Sequence, residues 1–271
     1  MTTRLLAGAV AAGVAAGLLA WGRGRRTISG LAWERTNHAG DPVTLWEGAA
    51  YAQGAALGAL VGGSPAGLLA GLGGAVFGAL DDHYGDSTSK GLRGHLGALT
   101  RGEVTTGAVK ILGIGVTGLV CAVLTDRRCA DPPGLTGVSA STLTGAAVVA
   151  GSANLANLLD LRPGRALKAV VITGVPLLAG RGGPTSAAAV GAALGVIVPD
   201  LRGESMLGDT GANAAGALVG VAAIERYGWR GRLLVLTGLT ALTLASERVS
   251  FTRVIESTPL LREIDRWGRR R

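Results

Sequence analysis

Long apolar stretches alternate with short polar or glycine-rich segments along almost the whole chain. A helix needs about 20 apolar residues to cross a bilayer, and shorter stretches suffice inside a bundle. The pattern therefore predicts nine membrane-spanning helices, separated by loops such as the turn signal Gly62-Gly63-Ser64-Pro65. The predicted segments are 5–21, 48–61, 66–80, 105–124, 139–157, 167–179, 185–198, 208–224 and 232–245.

The amino-acid composition agrees with helices that pack against one another in lipid. Hydrophobic residues make up 48% of the 271 residues and charged residues only 16%, against about 25% in a typical soluble domain. The 46 glycines fit the same picture, because small residues let membrane helices approach closely. Aromatic residues are only 4%, so the net charge of +8 does not indicate a nucleic-acid partner. We expect the chain to lie in a lipid bilayer.

The distribution of basic residues predicts how the helices are oriented. With the N-terminus outside, seven of the 26 Lys and Arg residues lie at the outer side and the other 19 at the inner side. Because positive residues concentrate in cytoplasmic loops, an N-out/C-in topology is predicted. The fold class is therefore all-α, a polytopic integral membrane helix bundle with about nine transmembrane helices.

The predicted domain organisation is a transmembrane domain over residues 1–247, followed by a basic amphipathic cytoplasmic tail over 248–271. The tail mixes arginines with apolar residues and is divided at Thr258-Pro259. Such a segment suits the surface of an anionic membrane, and equally a cytoplasmic docking surface.

Three acidic motifs lie at predicted inner helix ends, so the cytoplasmic side is the predicted working face. The motifs are Asp81-Asp82-His83-Tyr84-Gly85-Asp86, Asn154-Leu155-Ala156-Asn157-Leu158-Leu159-Asp160 and Leu207-Gly208-Asp209-Thr210-Gly211-Ala212-Asn213.

Each motif combines residue types that bind phosphate-containing ligands or their metal ions. Adjacent carboxylates such as Asp81 and Asp82 repel unless they share a cation or a proton, and Mg²⁺ prefers such oxygen ligands. Asn154, Asn157 and Asp160 are spaced to share one helix face, which could grip a polar ligand.

Each motif also has an ordinary structural interpretation. The paired aspartates suit a solvated helix end, membrane asparagines often hydrogen-bond between helices, and Asp209 suits a helix cap. The shared position of all three motifs at one predicted side favours a functional site.

The motifs carry a resemblance to a known family. The matching segments are 78–82 with Asp86, 90–95, Asn154 with Asn157 and Asp160, 208–213 with Gly216, and an early loop segment over 35–48. Over roughly residues 30 to 220, the chain resembles the polyprenyl-phosphate sugar-1-phosphate transferases. This integral-membrane family contains phospho-N-acetylmuramoyl-pentapeptide transferase and the N-acetylglucosamine-1-phosphate transferases.

The resemblance implies a reaction and its setting. Such enzymes move a sugar phosphate from a nucleotide-sugar, a UDP-sugar, to undecaprenyl or decaprenyl phosphate and release UMP. They serve cell-envelope glycan synthesis in the bacterial inner membrane, with a cytoplasmic active site. The implied cofactor is Mg²⁺, with Mn²⁺ as a substitute, and the implied assembly is a homodimer.

The resemblance also implies residue roles. The catalytic residues would be Asp81, Asp82 and Asp209, of which Asp209 would bind the metal and one of the other two would engage the polyprenyl phosphate. The substrate-binding residues would be Asn37, Lys90, Asn154, Asn157, Asp160, Lys168 and Asn213.

The chain departs from the family pattern at two places. Pro163 stands where a second aspartate usually follows Asp160, and the histidine-rich motif of the last cytoplasmic loop is missing. These changes leave the donor sugar open, and they keep a non-catalytic relative, a membrane scaffold or a lipid-carrier binder, as an alternative. An intramembrane prenyltransferase is a further alternative, although its second aspartate-rich motif is reduced here to Asp209.

Overall fold

The computed structural model describes residues 1–24, 33–36, 40, 42–85, 105–129 and 138–269. Within these ranges the chain forms eleven α-helices and one two-stranded sheet. The helices are α1 (Thr2–Gly24), α2 (Trp46–Val61), α3 (Pro65–Tyr84), α4 (Thr106–Cys129), α5 (Ala140–Leu159), α6 (Arg165–Gly174), α7 (Gly183–Leu201), α8 (Gly208–Arg226), α9 (Trp229–Ser246), α10 (Phe251–Ser257) and α11 (Pro259–Arg266). A 3₁₀ helix, Val175–Leu178, continues α6, and strands β1 (Glu34–Thr36) and β2 (Pro42–Thr44) pair in antiparallel fashion.

The helical character predicted from the sequence is confirmed, because each predicted apolar segment falls on one of the helices α1 to α9. Among the described residues, four helices are long and apolar enough to cross a membrane, and α9 with α10 forms a bent pair that raises the number to five. The four are Thr2–Arg23, Thr106–Arg128, Ala140–Leu159 and Gly183–Leu201. Nine crossings and the N-out orientation stay predictions.

Helix α8 is the centre of the bundle. It packs against every helix from α2 to α7, and most of its residues are buried. Its buried side chains are mainly small, with Leu218, Val221 and Ile224 as the larger apolar groups. Small residues allow many neighbours to approach one axis, which explains why α8 is rich in glycine and alanine although it is less apolar than α1.

Helices α1 and α2 touch backbone to backbone at Gly54. A Cβ atom at this position would lie 2.6 Å from the carbonyl oxygen of Ala11 and 2.7 Å from the Cβ of Ala15. Without a side chain at Gly54, the two helices come within direct contact over a long interface.

Local sequence signals fix where several helices begin. The turn predicted at Gly62-Gly63-Ser64-Pro65 is present, and the Ser64 hydroxyl accepts a hydrogen bond of 3.0 Å from the backbone N–H of Gly67. Pro65 then occupies the first turn of α3, where a missing N–H is harmless. Ser139 and Thr142 form a capping box that begins α5 in the same way.

Contacts between sequence-distant helix ends define one end of the bundle, here called the motif end. Arg23 in the last turn of α1 pairs with Glu204, which lies between α7 and α8, at 2.6 Å. At the same level the backbone N–H of Met206 donates to the carbonyl of Thr44, and that of Gly164 donates to Asp200. The predicted inner loops that are described therefore meet at one end.

A tail docks on the motif end after α9. Helix α10 bends by 95° from α9, and the division predicted at Thr258-Pro259 separates α10 from α11. The Arg165 guanidinium donates to both oxygens of the Asp265 carboxylate, at 2.8 and 3.1 Å, and so ties α11 to the start of α6.

The contact at Gly54 generates a stability prediction. Gly54→Ala is expected to lower the thermal unfolding midpoint in detergent, because the added methyl meets the α1 backbone at 2.6 Å. Gly13→Ala is the matched control, since nothing lies within 4 Å of its added methyl and alanine favours a helix by about 1 kcal/mol over glycine. Equal midpoints for the two variants would contradict the close contact.

Candidate functional site

Asp82 binds the beginning of helix α8. Its carboxylate accepts hydrogen bonds from the backbone N–H groups of Asp209 and Thr210, at 3.1 and 2.8 Å, and from the Thr210 hydroxyl at 2.6 Å. These donors belong to the first turn of α8, whose N–H groups have no partner within the helix. Asp82 therefore joins the end of α3 to the start of α8.

Gly208 makes this junction fit. Its backbone has a φ of +60°, a left-handed conformation that glycine adopts without strain. A Cβ atom there would also lie 2.9 Å from Leu45 and 3.1 Å from the Asp82 carboxylate. The glycine before Asp209 is thus required by the turn and by the close approach of α3.

The other two predicted catalytic aspartates meet at one lysine. The Lys110 ammonium lies 2.6 Å from Asp81 Oδ2 and also donates to Asp209 Oδ2. The three side chains are only about one-fifth exposed, and they come from α4, α3 and α8. The structure therefore brings together Asp81, Asp82 and Asp209, as the motif arrangement predicts.

Lys110 was not singled out in the sequence. A signal for it exists, because it stands alone in the apolar run that forms α4, and a charged residue within a membrane helix is by default a candidate for function. Lys110 was missed because its partners belong to motifs 29 and 99 residues away along the chain.

The donor chemistry at this cluster suits a cation. Two carboxylates, Asp81 and Asp209, lie close enough to share the single ammonium group of Lys110. Among the described residues, no three His, Cys, Asp or Glu side chains are grouped to hold a metal ion. Mg²⁺ commonly takes one or two carboxylates and completes its shell with water and substrate phosphate, so the pair fits that binding mode.

A cavity of about 470 Å³ opens at the same end of the bundle. Polar and apolar groups share its wall, which is lined by Thr36, Val43, Asp160, Leu161, Arg162, Pro163, Asp200, Gly203, Ser205 and Met206. Strand β2 holds one side of the cavity in place, because Thr44 bridges to Ser205 and receives the N–H of Met206. The short hairpin thus has a structural role beside the cavity.

Asp160 connects the cavity with the aspartate cluster. It caps the C-terminus of α5 just beyond a candidate span, and it approaches the backbone N–H of Gly208. Burial and the negative charge of Asp200 raise its pKa well above the ordinary range. One of its oxygens, Oδ2, is buried and has no hydrogen-bond partner within the described ranges.

Two further buried carboxylates lie at the cavity: Asp200 is part of its wall, and Glu47 contacts the wall residue Ser205. Glu47, fully buried at the start of α2, accepts a hydrogen bond from the Ser205 hydroxyl. Asp200, also buried, accepts one from the backbone N–H of Gly164 at 3.1 Å. Neither residue was predicted as part of a site. In the case of Glu47, an isolated Glu before an apolar run is also typical of a helix start.

The predicted substrate-binding residues are distributed over different surroundings. Asn154 Nδ2 lies 3.5 Å from the Thr243 hydroxyl of α9, in keeping with the interhelical alternative. Asn157 is half-buried one turn before Asp160. Asn213 is buried on α8, one turn after Asp209, and its Nδ2 has no partner within the described part of the chain.

The lysines and the early loop complete the comparison with the sequence predictions. The Lys168 ammonium donates to the backbone carbonyl of Asp265 at 2.7 Å, so the tail engages it. Asn37 and Lys90 lie outside the described residues. The chain matches no protein-family model and no curated protein sequence.

The role of Asp82 as a cap generates a prediction for stability. In Asp82→Asn, one carboxylate oxygen that accepts N–H groups becomes an NH₂ donor, and the loss of hydrogen bonds to α8 is expected to cost about 1–2 kcal/mol. A lower thermal unfolding midpoint in detergent would show this loss of stability.

Glu204→Gln is the control for Asp82→Asn. It removes one partner of the more exposed Arg23–Glu204 pair at the same end, and such pairs contribute about 0–1 kcal/mol. If Asp82→Asn shifted the midpoint no more than Glu204→Gln does, Asp82 would not support α8.

Proposed function

We propose that the protein transfers a sugar 1-phosphate from a UDP-sugar to polyprenyl phosphate and releases UMP. The observation that carries the proposal is the contact of Lys110 with Asp81 and Asp209, beside a carboxylate-lined cavity at the same end of the helices. Phosphoryl transfer depends mainly on positioning and charge stabilisation, and this arrangement offers both.

The proposed reaction exchanges one P–O bond for another. An oxygen of the polyprenyl phosphate forms a bond to the sugar-linked phosphorus of the donor. The bond between that phosphorus and the oxygen of UMP breaks, and UMP leaves with the electron pair. Both substrates are anionic, so the chain must offset their mutual repulsion.

Lys110 is the group of this chain that is best placed to offset that repulsion. Its ammonium already lies between two carboxylates, and it can transfer a hydrogen bond from either one to a phosphate oxygen. Bound Mg²⁺ on Asp209 would supply further positive charge at the pyrophosphate. The attraction of either cation for phosphate would be strong, because the cluster is mostly shielded from water.

The contacts divide the work between the paired aspartates. The Asp82 carboxylate accepts hydrogen bonds from three donors of α8, and Asp82 therefore acts as a positioning residue for Asp209. Asp81 forms an ion pair with Lys110 and is about one-fifth exposed, so it is the better candidate to face the polyprenyl phosphate. The sequence left the choice between the two open.

The cavity beside Asp160 is the proposed place of the donor nucleotide. Its volume of about 470 Å³ lies within the range of small-molecule sites. Apolar side chains such as Val43 and Met206 suit a flat base, and Arg162 suits a phosphate. Pro163 in the wall stands where the family usually has an aspartate, so the cavity has one hydrogen-bonding side chain fewer. This difference affects which UDP-sugar fits.

The proposed setting is the bacterial inner membrane. In this arrangement α1 to α9 cross the bilayer, the N-terminus lies outside, and the motif end faces the cytoplasm, where nucleotide-sugars are made. The excess of basic residues at the predicted inner side supports this orientation. A homodimer remains part of the proposal through the family resemblance alone.

UMP release by the purified chain tests the proposal. The protein in detergent receives Mg²⁺, undecaprenyl phosphate and a panel of UDP-sugars, one at a time. We expect UMP with one donor, and a loss of about 100-fold or more in kcat for Asp209→Ala and for Lys110→Met, since each removes charge stabilisation at the reacting phosphates.

Two further results decide between the proposal and its alternative. Glu204→Gln should keep the rate, because that side chain pairs with Arg23 and not with Lys110. A folded protein that binds undecaprenyl phosphate and releases no UMP with any donor would reject the transferase and favour a non-catalytic lipid-carrier binder.

A further inference from the structure

The C-terminal segment, residues 250–269, carries apolar side chains that its docking does not use. In α11 and just after it, Leu260 is 70% exposed and Trp267 76% exposed, and Leu261 and Ile264 are exposed as well. Positions 260, 264 and 267 share one helix face, and Leu261 lies beside them. This apolar face points away from Asp265, which is buried against the bundle.

The direction of the segment fits a membrane surface. Helices α9 and α10 are long and apolar enough for a span only as a pair, and the pair is bent by 95°. If α9 crosses the bilayer, a right-angle bend directs α10 along the surface at the level where the chain leaves the lipid. Helix α11 follows without a long linker and lies at the same level.

The charge of the segment matches an anionic surface. Residues 248–271 contain seven arginines and three acidic residues. Of the acidic residues, Asp265 faces the protein, where Arg165, Lys168 and Arg269 contact it. Burial alone would raise the Asp265 pKa, but the Arg165 hydrogen bond and the Arg269 charge lower it overall, so this carboxylate stays ionised and internally paired.

Exposed arginines remain on the outside. Arg253 and Arg266 are exposed, and Arg266 lies next to Trp267. Basic residues that flank an exposed apolar face, with a tryptophan at its edge, are the features of helices that lie in the interface of an anionic bilayer.

We infer that residues 250–269 form an interfacial anchor that binds the surface of an anionic bilayer, with Leu260 and Trp267 inserted at the headgroup level. The anchor is independent of the reaction proposed above and requires only that α9 crosses the membrane. Its inner side is fixed to the bundle by Asp265, and Arg269 donates to the carbonyl of Pro163 at 2.8 Å. Lipid contact on one side therefore holds a segment that touches the cavity wall on the other.

Hydrogen exchange of residues 251–266 tests the anchor in the full-length chain. The protein is placed, one copy per nanodisc, in phosphatidylcholine alone and in phosphatidylcholine with about one-third phosphatidylglycerol. Exchange of this segment is expected to be about tenfold slower in the anionic discs, because such a surface attracts the basic residues of the segment.

Matched variants connect the protection to the apolar face. Trp267→Glu should remove the difference between the two lipids, whereas Glu256→Gln, which lies in α10 and outside the apolar face of α11, should keep it. Both side chains are exposed, so neither change disturbs the core. Quenching of tryptophan fluorescence by lipids brominated near the headgroups gives a second readout of insertion, and it should decrease in Trp267→Phe because one of the five tryptophans is removed.

Other results overturn the inference. If the segment exchanged equally fast in both lipids, and if Trp267→Glu did not change that exchange rate, the face would not contact lipid. Protection that arises only in discs with two copies would assign the face to a second chain. UMP release plays no part in these readouts, so the anchor and the proposed reaction fail or stand separately.

Discussion

The structure depends on the close approach of small-residue helix faces around α8. Six helices, α2 to α7, reach this axis because glycine and alanine occupy most of its surface. Such faces suit helices in lipid, where association has no hydrophobic gain and depends on close van der Waals contact. The same contact sets the ends of α3, α4 and α8 at one level, where Asp81, Lys110 and Asp209 meet.

The cluster of Asp81, Lys110 and Asp209 is held together by ion pairs, and its carboxylates are also possible ligands. Two carboxylates of a low-dielectric region would repel each other strongly, and Lys110 makes their approach favourable. Asp82 contributes differently, since the positive end of α8 and its free N–H groups stabilise its charge. One pair of adjacent aspartates thus performs two different tasks, which residue type alone does not reveal.

The sequence predicted the helices well because long apolar stretches have few other solutions. It also predicted that the motifs of Asp81, Asp160 and Asp209 lie at one end. It did not predict Lys110, Glu47 or Asp200, since their importance comes from contacts between distant segments. A lone charge in an apolar run marks Lys110, but no local pattern identifies its partners. Asn154 and Lys168 show the reverse case. Spacing suggested a ligand for Asn154 and the family resemblance suggested one for Lys168, but their contacts in the structure are Thr243 and the tail.

The alanine-rich interior of α8 has a thermodynamic consequence. Leucine or methionine loses rotamer freedom when it is buried, whereas alanine and glycine have no side-chain entropy to lose. The central helix is therefore ordered mainly through its backbone, and the freedom of side-chain motion in the bundle is concentrated in the long polar residues at its ends. Of the three residues that meet there, Lys110 has the most rotatable bonds, so it is the member whose position responds most readily to an arriving anion.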